Sequence, residues 1–127
     1  KLLKEVKKDK QVYLISNPKS LNKFIQESSL CVAPMLSGSG QQFKLIESLA
    51  LNTPVITTSK GAKPLGLINN KQALIRDSKE SFAKAIVEFL KDKELRSNLS
   101  KNGFKFVYSK YSWEKIVAEL INECYKK

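Results

Sequence analysis

The sequence predicts an α/β protein: a parallel sheet of about four strands flanked by helices, with further helices at the C-terminus. Apolar or β-branched runs alternate with segments whose apolar residues recur at helical spacing, which is typical of strand–helix–strand units. The runs at 30–35 and 54–58 are apolar without alternation, as expected for strands buried on both faces of a parallel sheet. After residue 77 the periodicity is helical only.

The four predicted strands are 11–15 (QVYLI), 30–35 (LCVAPM), 54–58 (PVITT) and 72–77 (QALIRD). Leu21, Phe24 and Ile25 predict a helix between the first two strands, and a second helix is expected over about 41–51. The loop 59–67 is expected to hold one short helical turn. Strands joined by helices in this way predict right-handed crossovers, with ligands beyond the carboxyl ends of the strands.

Three further helices are predicted after residue 77, with Ser78, Asp92 and Ser112 as their N-caps. Trp113 is predicted to be largely buried and to anchor the last helix. The inward faces are predicted to be Phe82, Ala85, Ile86, Phe89 and Leu90 in the first helix, Leu95, Leu99 and Phe106 in the second, and Trp113, Ile116, Val117, Leu120, Ile121 and Cys124 in the third.

The length and composition suit a single globular domain over residues 1–127. The net charge of +11 comes almost wholly from lysine, and Arg76 and Arg96 are the only arginines. Such a charge favours solvated helix faces first, an anionic membrane surface or nucleotide second, and nucleic acid third, because the bidentate arginines that read bases are few. There is no histidine, which removes the commonest general base and metal ligand. Cys31 and Cys124 have no metal or redox spacing, so they are interpreted as reduced thiols of a cytoplasmic protein.

A glycine-rich turn, SGSG, lies at the predicted carboxyl end of the second strand and directly before a helix. Glycines allow backbone N–H groups to approach a ligand closely, and a helix N-terminus carries partial positive charge. Together they form an anion site suited to phosphate. The same residues could also be only a tight connection that needs positive φ.

Glu47 lies seven residues after Gly40, at the edge of the arc predicted to be buried: Phe43, Leu45, Ile46, Leu49 and Ala50. Helical side chains lean toward the N-terminus, so this carboxylate is expected to point back toward the glycine turn. It would repel a phosphate, but it would accept hydrogen bonds from a pair of sugar hydroxyls. The alternative is an ordinary surface acid paired with Lys44.

The run VAPMLSGSGQQFKLIESLALNTPVITTSKGAKPLGL resembles the donor-binding segment of GT-B-fold retaining glycosyltransferases, the group 1 or family 4 enzymes that use nucleotide sugars. The later run LKDKELRSNLSKNGFKFVYSKYSWEKIVAEL resembles the C-terminal pattern of that family. The resemblance covers nearly the whole chain, from about Val12 to Tyr125. It implies a Rossmann-like sheet and a single, partial C-terminal nucleotide-sugar-binding domain.

Position by position, the resemblance implies a donor-binding set: Gly38, Ser39, Gly40, Gln41, Gln42, Phe43 and Glu47. Glu47 matches the glutamate implied to bind the ribose, and the amides of Gly40, Gln41, Gln42 and Phe43 match those implied to hold the diphosphate. The first glutamate of the family's paired motif falls on Ser39, Gln42 replaces a common arginine, and Asn52 replaces the usual glycine after the helix. Asn tolerates a left-handed conformation, so a helix C-cap is expected there. No catalytic residue and no metal ligand is assigned.

The family's domain normally opens with two further strands and an arginine–lysine pair, and this chain begins after them. The resemblance therefore implies a fragment, completed by the N-terminal domain of the same enzyme or by a partner segment. The 127 residues alone are expected to be inactive.

The predicted function is that of a glycosyltransferase of the hexosyltransferase type, which binds a nucleotide diphosphate-sugar and transfers the sugar to a glycan or lipid-linked acceptor. No cofactor and no metal is expected, and the partners are the donor, the missing N-terminal domain and an anionic membrane, without nucleic acid. The predicted location is cytoplasmic, peripheral at the inner membrane surface. Two alternatives remain open: a GT-B-like nucleotide-sugar epimerase, and a non-catalytic basic module that binds membranes or nucleic acid.

Overall fold

The structure is a computed structural model that describes residues 4–5, 8–38 and 42–125. Three parallel strands form the sheet in the order β1–β2–β3: β1 is Cys31–Ala33, β2 is Val55–Thr57 and β3 is Leu74–Ile75. Ile56 of β2 pairs with Val32 on one side and with Leu74 on the other. All of β2 is buried, as its unbroken apolar run predicts for a central parallel strand.

Helices connect and flank these strands. Helix α1 (Asn22–Glu27) precedes β1, and α2 (Phe43–Ala50) connects β1 to β2. Between β2 and β3 lie the short α3 (Ser59–Ala62) and a 3₁₀ turn (Lys63–Leu65), the helical turn predicted in that loop. Three helices follow the sheet: α4 (Lys79–Lys91), α5 (Lys93–Tyr111) and α6 (Trp113–Tyr125).

Local capping chemistry sets several of these boundaries as predicted. Ser78 Oγ accepts a hydrogen bond from the Ser81 N–H at 3.1 Å and starts α4. Asp92 Oδ1 accepts from the Leu95 N–H at 2.9 Å and starts α5. Helix α6 begins directly after Ser112. The Ser78 and Asp92 side chains satisfy amides that a helix leaves unbonded in its first turn, whereas Ser112 accepts the Ile116 N–H through its backbone carbonyl.

The core has two parts, one on each face of the sheet. Helix α5 is shared by both, because Leu99 near its start packs in one part and Val107 near its end packs in the other. One part contains Ala33, Leu45, Leu49, Val55, Ala62, Leu65, Leu67, Ala73 and Val107; the other contains Ile56, Leu74, Ala85, Phe89 and Leu99. The carboxyl ends of the strands lie between these parts, where ligands bind in open α/β sheets.

The predicted first strand is wrong: the sheet has three strands, and residues 11–15 belong to none of them. The segment is exposed from Val12 to Ile15, and Tyr13 has 82% of its surface in solvent. A β-branched and aromatic run fits a strand only where a neighbouring strand can complete the hydrogen-bond ladder. Within the described residues β1 pairs with β2 alone, and 11–15 has no ladder partner.

The predicted burial of Trp113 and of the α6 stripe is also wrong. Trp113 is 78% exposed, and Val117, Leu120, Ile121 and Cys124 are exposed as well. Ser112 is extended (φ −68°, ψ 143°), so the chain turns between α5 and α6, and α6 packs chiefly on α5. One helix neighbour cannot cover the whole apolar face of another. Cys31 and Cys124 are free thiols, as predicted.

Candidate functional site

The chain that leaves β1 forms the first wall of the site. Pro34, Met35, Leu36 and Ser37 lead from Ala33 to Gly38, and the Met35 N–H returns to the Ala33 carbonyl at 3.0 Å. Gly38 has φ +115°, a conformation that favours glycine because it lacks a Cβ. Gly38 therefore has the positive φ that the alternative interpretation, a tight connection, requires. Ser39, Gly40 and Gln41 lie outside the described residues.

Two threonines at the end of β2 hold this wall in place, and the sequence reasoning missed both. Thr57 Oγ1 donates to the Ala33 carbonyl at 2.9 Å, and Thr58 Oγ1 donates to the Met35 carbonyl at 2.6 Å. Both threonines are buried. The available signal was the change from apolar to hydroxyl residues at the end of PVITT, where a polar group within the core needs a partner.

Gly61 of α3 lets this wall pack closely. A Cβ at this position would lie 2.3 Å from Thr57 Oγ1 and 3.0 Å from Met35 Cγ. Thr58 caps the same helix by accepting from the Gly61 N–H at 3.4 Å. A side chain at 61 would therefore press on the hydroxyl that fixes the carboxyl end of β1.

Helix α2 forms the second wall, with Gln42 as its N-cap residue. The Gln42 carbonyl accepts from the N–H groups of Leu45 at 3.0 Å and Ile46 at 3.3 Å. The N–H groups of Phe43 and Lys44 belong to the first turn of the helix. In that turn, backbone N–H groups have no acceptor within the helix. Gln42 is buried and Phe43 is 66% exposed, so Phe43, which was predicted to be buried, faces the solvent instead. The inner face of the helix is formed by Leu45, Ser48 and Leu49.

Glu47 lies one turn after Phe43 on the same exposed side of α2. The described residues place no cation within ion-pair distance of its carboxylate, and Lys44 is not its partner. Both observations leave the carboxylate able to accept hydrogen bonds from a ligand. The remaining alternative for this residue is an unpaired surface acid.

A second carboxylate, that of Asp77, links the segments that follow β2 and β3. Asp77 accepts hydrogen bonds from the Ser59 N–H at 2.8 Å and from the Ser59 hydroxyl at 2.6 Å. The Ser59 hydroxyl, and then the backbone N–H, hold the pKa of Asp77 below its usual range. These bonds fix the start of α3, and so they position Gly61.

In the part of the chain that the structure describes, no group of three histidine, cysteine or acidic side chains could hold a metal ion. The same residues contain no helix with the length and hydropathy to cross a bilayer.

The fold places the chain among α/β proteins with a Rossmann-like parallel sheet. A family model described as "Glycosyl transferases group 1" matches residues 1–92. The chain belongs to this family, and hence to a family of transferases with the GT-B fold. The sheet of three strands flanked by helices corresponds to the C-terminal domain of that fold.

Solved and curated proteins resemble the chain in structure or in sequence. The C-terminal domain of a glycosyl transferase group 1 family protein from Francisella tularensis superposes with a TM-score of 0.69 at 22% identity, over 88% of this chain and 61% of that one. An uncharacterised glycosyltransferase of Methanocaldococcus jannaschii is 31% identical over 74% of this chain and 27% of its own length. A 44.6 kDa protein of the cps region of Klebsiella pneumoniae is 25% identical over 94% of this chain.

A protein described as a probable sucrose-phosphate synthase from Thermosipho melanesiensis is 35% identical over 61% of this chain. The chain spans 33% or less of the length of these three curated relatives.

Proposed function

We propose that this chain carries the donor-binding part of a retaining glycosyltransferase, which transfers a sugar, of the hexosyl type, from a nucleotide diphosphate-sugar to a glycan or lipid-linked acceptor. One observation carries the proposal. An exposed carboxylate, Glu47, which has no ion-pair partner among the described residues, lies on the side of α2 shared with Phe43, directly behind a glycine turn at the carboxyl end of a parallel strand.

Each part of a nucleotide diphosphate-sugar has a fitting group here. The first-turn amides of α2 and the turn that begins at Gly38 suit the diphosphate, because they offer N–H donors and the positive end of a helix dipole. Glu47 suits the ribose, since a carboxylate can accept hydrogen bonds from two neighbouring hydroxyls. Gln42 is buried, so the proposal gives a role to its backbone rather than to its side chain.

The chemistry needs the leaving diphosphate to be held and its developing charge stabilised. Within the described residues the groups that do this are backbone amides. Neither a metal nor any other cofactor is part of the proposal. The acceptor side of the cleft would come from an N-terminal domain of the same enzyme, and the location would be cytoplasmic, at the inner surface of a membrane.

Replacing Glu47 by Gln tests the proposal. In a titration with a panel of nucleoside diphosphates, we expect Glu47→Gln to weaken binding by about 1–3 kcal/mol, the scale of a hydrogen bond to a charged group. The titration uses the longest protein in which this chain occurs. The thermal midpoint should stay unchanged, because the side chain is exposed and forms no ion pair with any described residue.

Glu88→Gln is the matched control. Glu88 is an exposed glutamate of α4, which packs on the other face of the sheet, and its contact with Lys84 at 3.8 Å is solvent-exposed. This variant should bind nucleotide like the parent. Equal nucleotide affinities of the two variants would indicate that Glu47 is an ordinary surface acid. A product assay then separates transfer from epimerisation, since an epimerase releases a free sugar without an acceptor.

A further inference from the structure

The backbone of Met35 is held at both its N–H and its carbonyl, although this residue lies beyond the end of β1. Its N–H donates to the Ala33 carbonyl at 3.0 Å, and its carbonyl accepts from Thr58 Oγ1 at 2.6 Å. The parallel pairing of β1 with β2 ends at Ala33 and Thr57, so the ladder itself does not reach Met35. The bond from Thr58 therefore extends the hold of β2 on this chain by two residues toward Gly38.

The Met35 side chain is confined as well. Its Cγ lies 3.0 Å from the position that a Cβ on Gly61 would occupy, so the side chain rests against the backbone of α3. Thr58 Oγ1 also accepts from the Gly61 N–H, at 3.4 Å. One hydroxyl group thus donates to the chain that leads into the glycine turn and accepts from the helix on which that chain packs.

The next residue ties the same point to the third strand. Ser59 donates its N–H and its hydroxyl to the Asp77 carboxylate, at 2.8 and 2.6 Å. Asp77 lies two residues after Ile75, where β3 ends. The adjacent residues Thr58 and Ser59, termed the strand-end clamp below, therefore link the segments that follow all three described strands.

The glycine turn depends on what fixes its start. Gly38 has φ +115°, and apart from its chain neighbours no described atom lies within 4 Å of the position where its Cβ would be. Glycine has many accessible conformations, so this residue fixes little by itself. An anion binds well where backbone N–H groups already point toward it, since ordering them on binding costs affinity. The direction of the turn must therefore come from the residues before it, which the clamp holds.

We propose that the strand-end clamp positions the glycine turn for the diphosphate of a nucleotide, with Thr58 as the positioning residue. The inference rests on the proposed function, because it takes a nucleoside diphosphate as the ligand of this turn. Thr58 is 4% exposed, so it acts through Met35 and not by touching the ligand. Neither bond of its hydroxyl involves Glu47, so its effect falls on the diphosphate and not on the ribose.

Thr53 provides a matched control at the opposite end of β2. It is 2% exposed, and its Oγ1 donates to the Ile25 carbonyl at 2.9 Å. Thr53→Val and Thr58→Val therefore remove the same group from two buried positions, and each takes a hydroxyl donor from a backbone carbonyl. Both variants should have a lower urea midpoint, because a carbonyl that loses its partner in the core is destabilising. Only Thr58 lies at the carboxyl end of the strand.

The experiment measures the affinity of the longest protein in which this chain occurs for uridine, guanosine and adenosine diphosphates and for the three nucleosides. We expect Thr58→Val to weaken diphosphate binding by about tenfold, the scale of one buried hydrogen bond, and nucleoside binding by no more than about twofold. Thr58→Ser, which keeps the hydroxyl, should bind like the parent. Thr53→Val should also bind like the parent despite its lower stability, whereas Glu47→Gln should weaken nucleoside binding too.

Asp77→Ala tests the clamp without leaving a polar group unpaired in the core, because Asp77 is exposed. This change removes both bonds to Ser59 and frees the residue next to Thr58. We expect diphosphate binding to weaken by about threefold and nucleoside binding to stay unchanged. The result decides the proposal even if Thr58→Val does not fold, since parent-like diphosphate affinity of Asp77→Ala would then overturn it.

The outcomes separate this inference from the proposed function. If the parent binds a nucleoside diphosphate and Glu47→Gln weakens that binding, parent-like affinity of Thr58→Val overturns the clamp alone. Equal losses for nucleoside and diphosphate, or equal losses in Thr53→Val and Thr58→Val, would give Thr58 a purely structural role. Thr58→Ser as weak as Thr58→Val would exclude the hydroxyl as the cause. A parent that binds no nucleotide would contradict the proposed function, and the clamp with it.

Discussion

Gly61 shows how one absent side chain positions the wall of the proposed donor site. Its Cα lies so close to β2 that an added Cβ would meet Thr57 Oγ1 at 2.3 Å. Thr57 is buried and cannot move far, and its hydroxyl holds the Ala33 carbonyl. The requirement for glycine here comes from packing and not from the φ angle.

We expect Gly61→Ala to destabilise the fold by about 1–3 kcal/mol in urea denaturation, the usual cost of overpacking. It should also weaken nucleotide binding, because the carboxyl end of β1 shifts. The cost should fall in a Thr57→Ala background, where space is available, and a double-mutant cycle measures this coupling. Additive effects of the two changes would show that residues 57 and 61 do not press on each other.

Asp77 makes a separate prediction about pH. Its pKa is held below the usual range mainly by the Ser59 hydroxyl and secondly by the Ser59 N–H. A lowered pKa in the folded state gives a stabilising contribution that is complete above the unfolded value of about 3.9, and that is lost as the pH falls through the lower folded value. Ser59→Ala should move the pKa of Asp77 upward in a carboxyl ¹³C NMR titration. An unchanged titration curve would contradict the role given to the hydroxyl.

At the scale of elements, the end of α2 is a Schellman motif built around Asn52. The Asn52 N–H bonds the Leu49 carbonyl at 3.1 Å, and the Thr53 N–H bonds the Ser48 carbonyl at 2.9 Å. Asn52 has φ +60°. This confirms the left-handed helix cap that was predicted at this position, where the family usually has glycine. Ser100 of α5 donates its hydroxyl to the backbone carbonyl and to Oδ1 of Asn52, so the cap also ties α2 to α5.

This motif predicts an order of stabilities. Asn52→Gly should cost no more than about 1 kcal/mol, since glycine adopts the same conformation and only the bond to Oδ1 is lost. Asn52→Val should cost about 1–2 kcal/mol or more, because a β-branched residue is strained at positive φ. Chemical denaturation of the two variants measures the difference, and a valine variant as stable as the glycine variant would exclude the conformational argument.

At the scale of the whole molecule, α5 holds the two parts of the core together. Gly103 lies midway between Leu99 and Val107, and a Cβ there would meet Leu49 Cδ2 at 2.5 Å. The close approach lets one helix of 19 residues pack against both sides of the sheet. Among the described residues the sheet has three strands, and this helix contributes to both parts of the core that flank it.

The exposure of the proposed donor site predicts the behaviour of the 127 residues by themselves. Phe43 is 66% exposed and Glu47 is exposed, so no described element shields a bound donor from water. Transfer without hydrolysis needs a closed, dry cleft. We expect no release of nucleoside diphosphate above background when this chain is incubated with a panel of nucleotide sugars. Turnover that disappears in Glu47→Gln would show instead that these residues form a complete site.

Much of the fold and part of the site could be predicted because they depend on neighbours in sequence. The runs around β1, β2 and β3, the caps at Ser78 and Asp92, and the left-handed Asn52 all follow from local chemistry. Within the site, the turn at Gly38 and the exposed Glu47 could be predicted in the same way. The threonines that anchor β1 could not, since their partners, Ala33 and Met35, are more than 20 residues away.

The sequence by itself determined which segments prefer to be strands or helices and which surfaces prefer to leave water. Only the tertiary structure decided whether a partner is present to satisfy that preference. Residues 11–15 have the composition of a strand but no neighbouring strand among the described residues. Trp113 has the chemistry of a buried anchor, but its helix packs chiefly on α5, and its side chain stays 78% exposed. Burial and strand pairing are properties of two surfaces, and an apolar pattern along the chain specifies only one of them.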